Sequence, residues 1–213
     1  MKLLLTSAGI TNKSIEKALK ELVGKEIRTA FIPTAANPEE GDKNWLVKDL
    51  KGFQKLGYLD IIDIASIPKD NWLPRLKKAN VIVVGGGDTK YLMEKIRESG
   101  LDKELPELLK EKVYVGISAG SIATNRTIWT SSEYLYGDET EESPDGLGYN
   151  DIHFRPHYKS QYFPKVIDEN LREISKKNPG KKIYAMDDES ALKIVDGKIE
   201  VISEGEWKLF PEE

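Results

Sequence analysis

The segment Val81-Ile82-Val83-Val84-Gly85-Gly86-Gly87-Asp88-Thr89 constrains this chain more than any other. Four consecutive β-favouring apolar residues describe a strand that presents hydrophobic side chains to both faces of its sheet. Such a strand needs cover above and below, and in α/β proteins helices supply it. The three glycines end the strand, and an apolar helical pattern with Tyr91, Leu92 and Ile96 follows. The same alternation runs through the first half of the chain. Residues 3–6, 28–32 and 59–64 are predicted strands. Between them Ile15, Ala18, Leu19, Leu22 and Val23 share one helical face closed by Gly24, and Leu46, Leu50 and Phe53 share another. Short helices are predicted over 72–78 and 103–110. Right-handed crossovers then give a mainly parallel central sheet, with working groups outside the carboxyl ends of its strands.

A second stretch, Val113-Tyr114-Val115-Gly116-Ile117-Ser118-Ala119-Gly120-Ser121, falls at that same edge. Gly116 and Gly120 flank Ser118 in the pattern of a nucleophile elbow, a tight strand-to-helix turn that exposes the serine hydroxyl. Taken alone, Gly-x-Ser-x-Gly is also a common ordinary turn. Its place after a strand and before a small-residue helix start favours the elbow.

Composition narrows the chemistry. The 213 residues contain no Cys, which excludes disulfide scaffolds, thiolate metal sites and a cysteine nucleophile. A net charge of −4 with both signs interspersed argues against a nucleic-acid footprint. Two His and scattered carboxylates show no metal-ligand spacing, and no cofactor is expected. The apolar run after Met1 is too short for a signal-peptide core, and no run reaches transmembrane length. The expectation is one soluble cytoplasmic domain over 1–213 without membrane partners; a homo-oligomer is compatible with it.

A serine hydroxyl needs a base within reach, and the choice lies between His153 and His157. His153 sits inside an alternating strand pattern, whereas His157 follows Pro156 at a strand end, so His157 is preferred. An acid must then orient the imidazole. Asp187, Asp188 and Glu189 all follow a predicted strand at 183–186, and spacing does not choose among them; a polar turn explains them equally well. Oxyanion donors are the Ala119 N–H and an N–H from Gly85–Gly87. The glycine run lacks the Lys-Ser/Thr of a P-loop and the spaced glycines of a dinucleotide fingerprint. Residues 129–149, with Tyr134, Tyr136, Glu139, Glu141, Glu142 and Asp145, suit a partial lid or a solvated acidic insertion. The tail predicts strands at 191–195 and 199–203 joined through Asp196-Gly197.

Four motifs occur in the order found in peptidase E-like proteins. They are Val-Gly-Gly-Gly-Asp-Thr at 84–89, Gly-Ile-Ser-Ala-Gly-Ser at 116–121, Arg-Pro-His-Tyr at 155–158 and Met-Asp-Asp-Glu-Ser-Ala-Leu at 186–192. The chain resembles this serine-peptidase family of aspartyl dipeptidases and, more distantly, cyanophycinases. The resemblance implies a three-layer α/β sandwich akin to class I glutamine amidotransferases (flavodoxin-like), with serine in place of their cysteine. It implies Ser118 as nucleophile, His157 as base and Asp188 as acid, where the family usually has Glu, with Glu189 as the alternative. Gly87 and Ala119 inherit the oxyanion hole. Trp129 stands where aspartyl dipeptidases carry an Arg for the substrate carboxylate; Arg126 and Arg155 are the nearby replacements. The implied activity is hydrolysis of dipeptides or short peptides, with N-terminal Asp as one candidate preference. An esterase or amidase acting on another acyl group, and a non-catalytic binding protein, are the competing readings.

Overall fold

The computed structural model describes residues 1–136 and 143–211. Among these the order is β1 (Lys2–Thr6), α1 (Lys13–Val23), β2 (Ile27–Ile32), α2 (Asn44–Gln54), β3 (Gly57–Ile61), α3 (Lys69–Lys78), β4 (Val81–Val84), α4 (Thr89–Ser99) and α5 (Leu101–Leu108). There follow β5 (Val113–Ile117), α6 (Ala119–Ile122), α7 (Ser132–Leu135), β6 (His153–Arg155), α8 (Asp168–Lys177), β7 (Ile183–Met186), β8 (Ser190–Val195), β9 (Lys198–Ser203) and β10 (Trp207–Phe210).

Seven strands form the main sheet in the order β3-β2-β4-β5-β1-β8-β9. The first five of that order are parallel, and β8 and β9 continue the sheet antiparallel. The period of two along each strand builds the layers. Leu4, Phe31, Val81, Val83 and Val115 enter one core with Ile15, Leu19 and Leu22 of α1 and Phe53 of α2. Leu3, Leu5, Ile32, Ile82 and Val84 enter the other with Trp72 of α3, Leu92 and Ile96 of α4, and Leu105 of α5. The result is a three-layer α/β sandwich around a mostly parallel sheet.

Local chemistry sets the helix ends. Asn12 Oδ1 accepts the Ile15 N–H at 2.9 Å to start α1, and Gly24 stops it at φ 65°. Asp88 starts α4 in the same way, accepting the Tyr91 N–H at 2.7 Å. The Asp196-Gly197 turn has both φ angles positive, 48° and 83°, as a two-residue hairpin requires.

Some elements differ from their predicted positions. The third strand begins at Gly57 and ends at Ile61, earlier than the expected 59–64. Asp63 draws the chain away from the sheet there, accepting from Thr34 Oγ1 at 2.7 Å and Ser66 Oγ at 2.6 Å. The helix expected at 103–110 starts at Leu101 and ends at Leu108. A second sheet, β10-β7-β6, gathers around Tyr158, Val166, Leu171, Ile183, Ala185 and Phe210. Its strand β10 had no alternating pattern long enough to predict it. In the expected lid, Ser132–Leu135 is helical and Thr127 bridges Asp145. Glu139, Glu141 and Glu142 lie outside the described residues. No helix among the described residues is long and apolar enough to cross a membrane.

Candidate active site

Strand β5 ends at Ile117, and the chain turns through Ser118 straight into α6. Ser118 holds φ 48° and ψ −107°, a conformation that costs a non-glycine residue energy. The surroundings impose it. The Ser118 N–H donates to Thr6 O at 2.9 Å, and Ser121 Oγ donates to the same carbonyl at 2.8 Å. The flanking glycines allow close packing. A β-carbon on Gly120 would fall 2.0 Å from Val84 O, and one on Gly116 would fall 2.6 Å from Ser121 Cα.

His157 arrives from the second sheet, just after β6, with φ 64°. Its Nε2 lies 2.9 Å from Ser118 Oγ, and its Nδ1 lies 2.7 Å from Asp188 Oδ1. An ionised Asp188 can only accept, so Nδ1 carries the proton and Nε2 is left to accept from the serine hydroxyl. Phe163 stacks on the imidazole with centroids 4.2 Å apart and planes 5° apart. Ser7 ties the two sheets together: its Oγ donates to Met186 O at 2.8 Å and accepts the His157 N–H at 3.3 Å.

The three neighbouring acids separate cleanly. Asp187 closes its own turn, accepting from the Glu189 N–H at 3.0 Å, Ser190 Oγ at 2.5 Å and the Glu206 N–H at 2.5 Å. Glu189 faces α1 and accepts from Asn12 Nδ2 at 3.0 Å. Asp188 alone of the three meets His157, and it keeps 41% of its side chain exposed.

Possible oxyanion donors surround Ser118. Within α6, the Ser121 and Ile122 N–H groups bond Ser118 O, so the Ala119 N–H opens the helix without an intrahelical partner. Of the glycine run, the Gly85 N–H donates to Ile32 O at 2.9 Å and the Asp88 N–H to Ala35 O at 2.9 Å. Gly86 and Gly87 carry the remaining N–H groups of that loop. Gly86 faces the serine: its β-carbon position is 3.3 Å from Ser118 Cβ. Gly87, at φ 129°, packs on the Ala35 carbonyl, 2.1 Å from where a β-carbon would stand.

The model of peptidase family S51 matches residues 3–202. The chain belongs to peptidase family S51. An uncharacterized peptidase of Listeria monocytogenes is 30% identical over 190 residues, covering 85% of this chain and 87% of that protein. Peptidase E of a Nostoc species is 28% identical, covering 90% of this chain and 79% of that protein. Among solved structures, a presumptive peptidase E protein from Listeria monocytogenes EGD-e superimposes with a TM-score of 0.77 at 25% identity, covering 96% and 98% of the two chains. This S51 member is therefore a serine-type peptidase.

The expected carboxylate-binding residues are engaged elsewhere. The indole N–H of Trp129 donates to His153 Nδ1 at 2.7 Å, and Lys181 Nζ lies 4.5 Å over its ring. His153 is thereby a packing partner, its pKa pushed down to about 4 by burial and by Lys181. Arg126 forms an exposed ion pair with Asp151. Arg155 is 2% exposed, with Nη1 donating to Thr130 O at 2.8 Å and Nη2 to Ser132 Oγ at 2.9 Å. No hydrogen bond, ion pair or ring contact among the described residues joins Trp129, Arg126 or Arg155 to Ser118 or His157. The sequence assigned no role to Ser7, Phe163 or, beyond its place in the 116–121 motif, Ser121, nor to two residues of α2: Trp45, whose ring is 3.8 Å from the β-carbon position of Gly86, and Asp49, 2.8 Å from that of Gly9. Of these only Asp49 had a legible signal, an acid at i+3 from Leu46 on the apolar face of α2.

Proposed function

We propose that this S51 peptidase hydrolyses dipeptides or other short peptides through an acyl-enzyme on Ser118. Ser118 Oγ attacks the carbonyl while His157 Nε2 takes its proton, then returns it to the leaving amine. Asp188 holds the imidazole in the tautomer that accepts at Nε2 and balances its charge once protonated. The Ala119 and Gly87 N–H groups receive the oxyanion. The observation that carries this reading is the continuous path from Ser118 Oγ through His157 to Asp188, with steps of 2.9 Å and 2.7 Å. The strained backbone of Ser118 supports it, because such strain persists where function needs the hydroxyl exposed. N-terminal Asp is one candidate for the first residue; of the arginines that could meet its side chain, Arg126 is paired with Asp151 and Arg155 is bonded to Thr130 and Ser132.

The test is a dipeptide panel that varies the first residue, with Ser118→Ala as the blank. Turnover by the wild type and none by the variant is the expected result. Cleavage of simple esters without cleavage of any peptide would replace this reading with an esterase. Failure of a fluorophosphonate to label the wild type, under conditions that label a control serine hydrolase, would point to a non-catalytic binding protein.

A further inference from the structure

Helix α2 carries an acid that the chemistry above does not use. Trp45 Cζ3 stands 3.8 Å from the β-carbon position of Gly86, which itself adjoins Ser118. One turn later, Asp49 Oδ1 stands 2.8 Å from the β-carbon position of Gly9, and Ile117 Cδ1 is 3.4 Å from that position. Gly86 follows β4, Ser118 follows β5 and Gly9 follows β1, and these three strands are consecutive in the sheet. The Trp45–Asp49 face of α2 therefore touches the loops on both sides of Ser118. Residues i and i+4 rise about 6 Å along a helix, and the long indole of Trp45 extends that reach toward the roughly 9.6 Å, two strand spacings, that separates β4 from β1.

Asp49 is 8% exposed. No hydrogen bond or ion pair among the described residues engages its carboxylate. The charged groups acting on it are Lys48, its chain neighbour, and Asp188. Burial, opposed by Lys48 and reinforced by Asp188, pushes its pKa up to about 7. An unpartnered acid in this position is costly to the folded chain, and a cation brought by a ligand would offset that cost.

We propose that Asp49 binds the free α-ammonium of the peptide whose first carbonyl faces Ser118, so that the enzyme reads the amino terminus of its substrate. This rests on the short-peptide reading above. The ammonium nitrogen is two bonds from the carbonyl carbon under attack, so the group that holds it must lie close to the nucleophile; Asp49 stands beside the loop after β1, the strand paired with β5, whose end carries Ser118. Asp49 is a specificity residue in this scheme and takes no part in proton transfer.

The experiment compares kcat/KM for Ala-Leu and Asp-Leu with their N-acetyl forms, in the wild type, Asp49→Asn and Asp49→Ser. Thermal unfolding establishes that each variant is folded. The wild type is expected to prefer the free amine, and both variants should lose about a hundredfold of that preference, mainly through KM for the free-amine peptide. Preference that survives in both variants overturns the proposal. So does an equal loss on free and acetylated peptides, which would make Asp49 an electrostatic neighbour of Asp188 only. If the wild type cleaves none of these peptides, the short-peptide reading fails separately. Calorimetric binding of Ala-Leu and N-acetyl-Ala-Leu to Ser118→Ala, with and without Asp49→Asn, then decides the matter. Discrimination lost with Asp49 supports the proposal, and unchanged discrimination overturns it.

Discussion

At the scale of single residues, the site distinguishes groups that look interchangeable in the sequence. Asp187, Asp188 and Glu189 are consecutive, yet one closes a turn, one meets His157 and one faces Asn12. Asp188→Asn is expected to lower kcat roughly ten-thousand-fold by leaving the wrong imidazole tautomer. Ser118→Ala should lower it about a million-fold. Glu189→Gln should change kcat less than about threefold, since its bond to Asn12 is peripheral to the chemistry. Steady-state kinetics on one cleaved dipeptide checks all three, and a Glu189→Gln loss matching that of Asp188→Asn would reverse the acid assignment. Asp49 gives a separate expectation about stability. Its folded pKa of about 7 lies above the ordinary 3.8, so between these values the folded chain binds more protons than the unfolded one. Stability therefore falls as pH rises through this window, and the loss is complete above the folded pKa. At about 1.4 kcal/mol per unit, Asp49→Asn should stabilise the chain by roughly 4 kcal/mol at pH 8 and by little near pH 4. Thermal unfolding of both proteins at the two pH values measures the difference, and an equal shift at both would show that Asp49 does not titrate in this way.

At the scale of elements, the β5–α6 turn works because backbones touch. Gly120 lies against Val84 of the neighbouring strand, and Gly116 lies against the first turn of α6. Gly120→Ala places a methyl group 2.0 Å from a carbonyl oxygen, so α6 must move off β4. The expected cost is about 1–3 kcal/mol in stability, as for other overpacked sites. Fluorophosphonate labelling of Ser118 should fall more steeply than that figure suggests, because Ser118 and Ala119 move with the helix. A variant that labels at the wild-type rate would show that the turn tolerates the displacement. The serine elbow is thus a packing feature before it is a chemical one.

At the scale of the whole molecule, the two sheets contribute different parts of the site. Ser118 and the glycine loop belong to the seven-stranded sheet, whereas His157 follows β6 and Asp188 follows β7 of the three-stranded sheet. Ser7 bridges them through Met186 O and the His157 N–H. Activity should therefore report on the small sheet's own core. Phe210→Ala removes a fully buried ring from that core, and about 3–5 kcal/mol of stability with it. In a urea titration this variant is expected to lose peptidase activity at a lower concentration than it loses far-UV helical signal. Coincident transitions would mean that the two sheets unfold as one unit.

The sequence by itself determined the layered α/β architecture, because a run such as Val81–Val84 can only be satisfied by cover on both faces, and strand and helix periods are local. It also marked Ser118, His157 and the acidic turn as the residues to examine, through residue type and position at strand ends. Extended segments without a sustained period escaped it, as with the strand Trp207–Phe210 and the early end of β3 at Ile61. Only the tertiary structure decided which of three adjacent acids reaches His157, and that Trp129 pairs with His153 while Arg126 and Arg155 bond elsewhere. It alone brought Asp49 of α2 beside the loop after β1. Those choices depend on side-chain direction across elements distant in the chain, whereas a linear pattern carries only the spacing within each element.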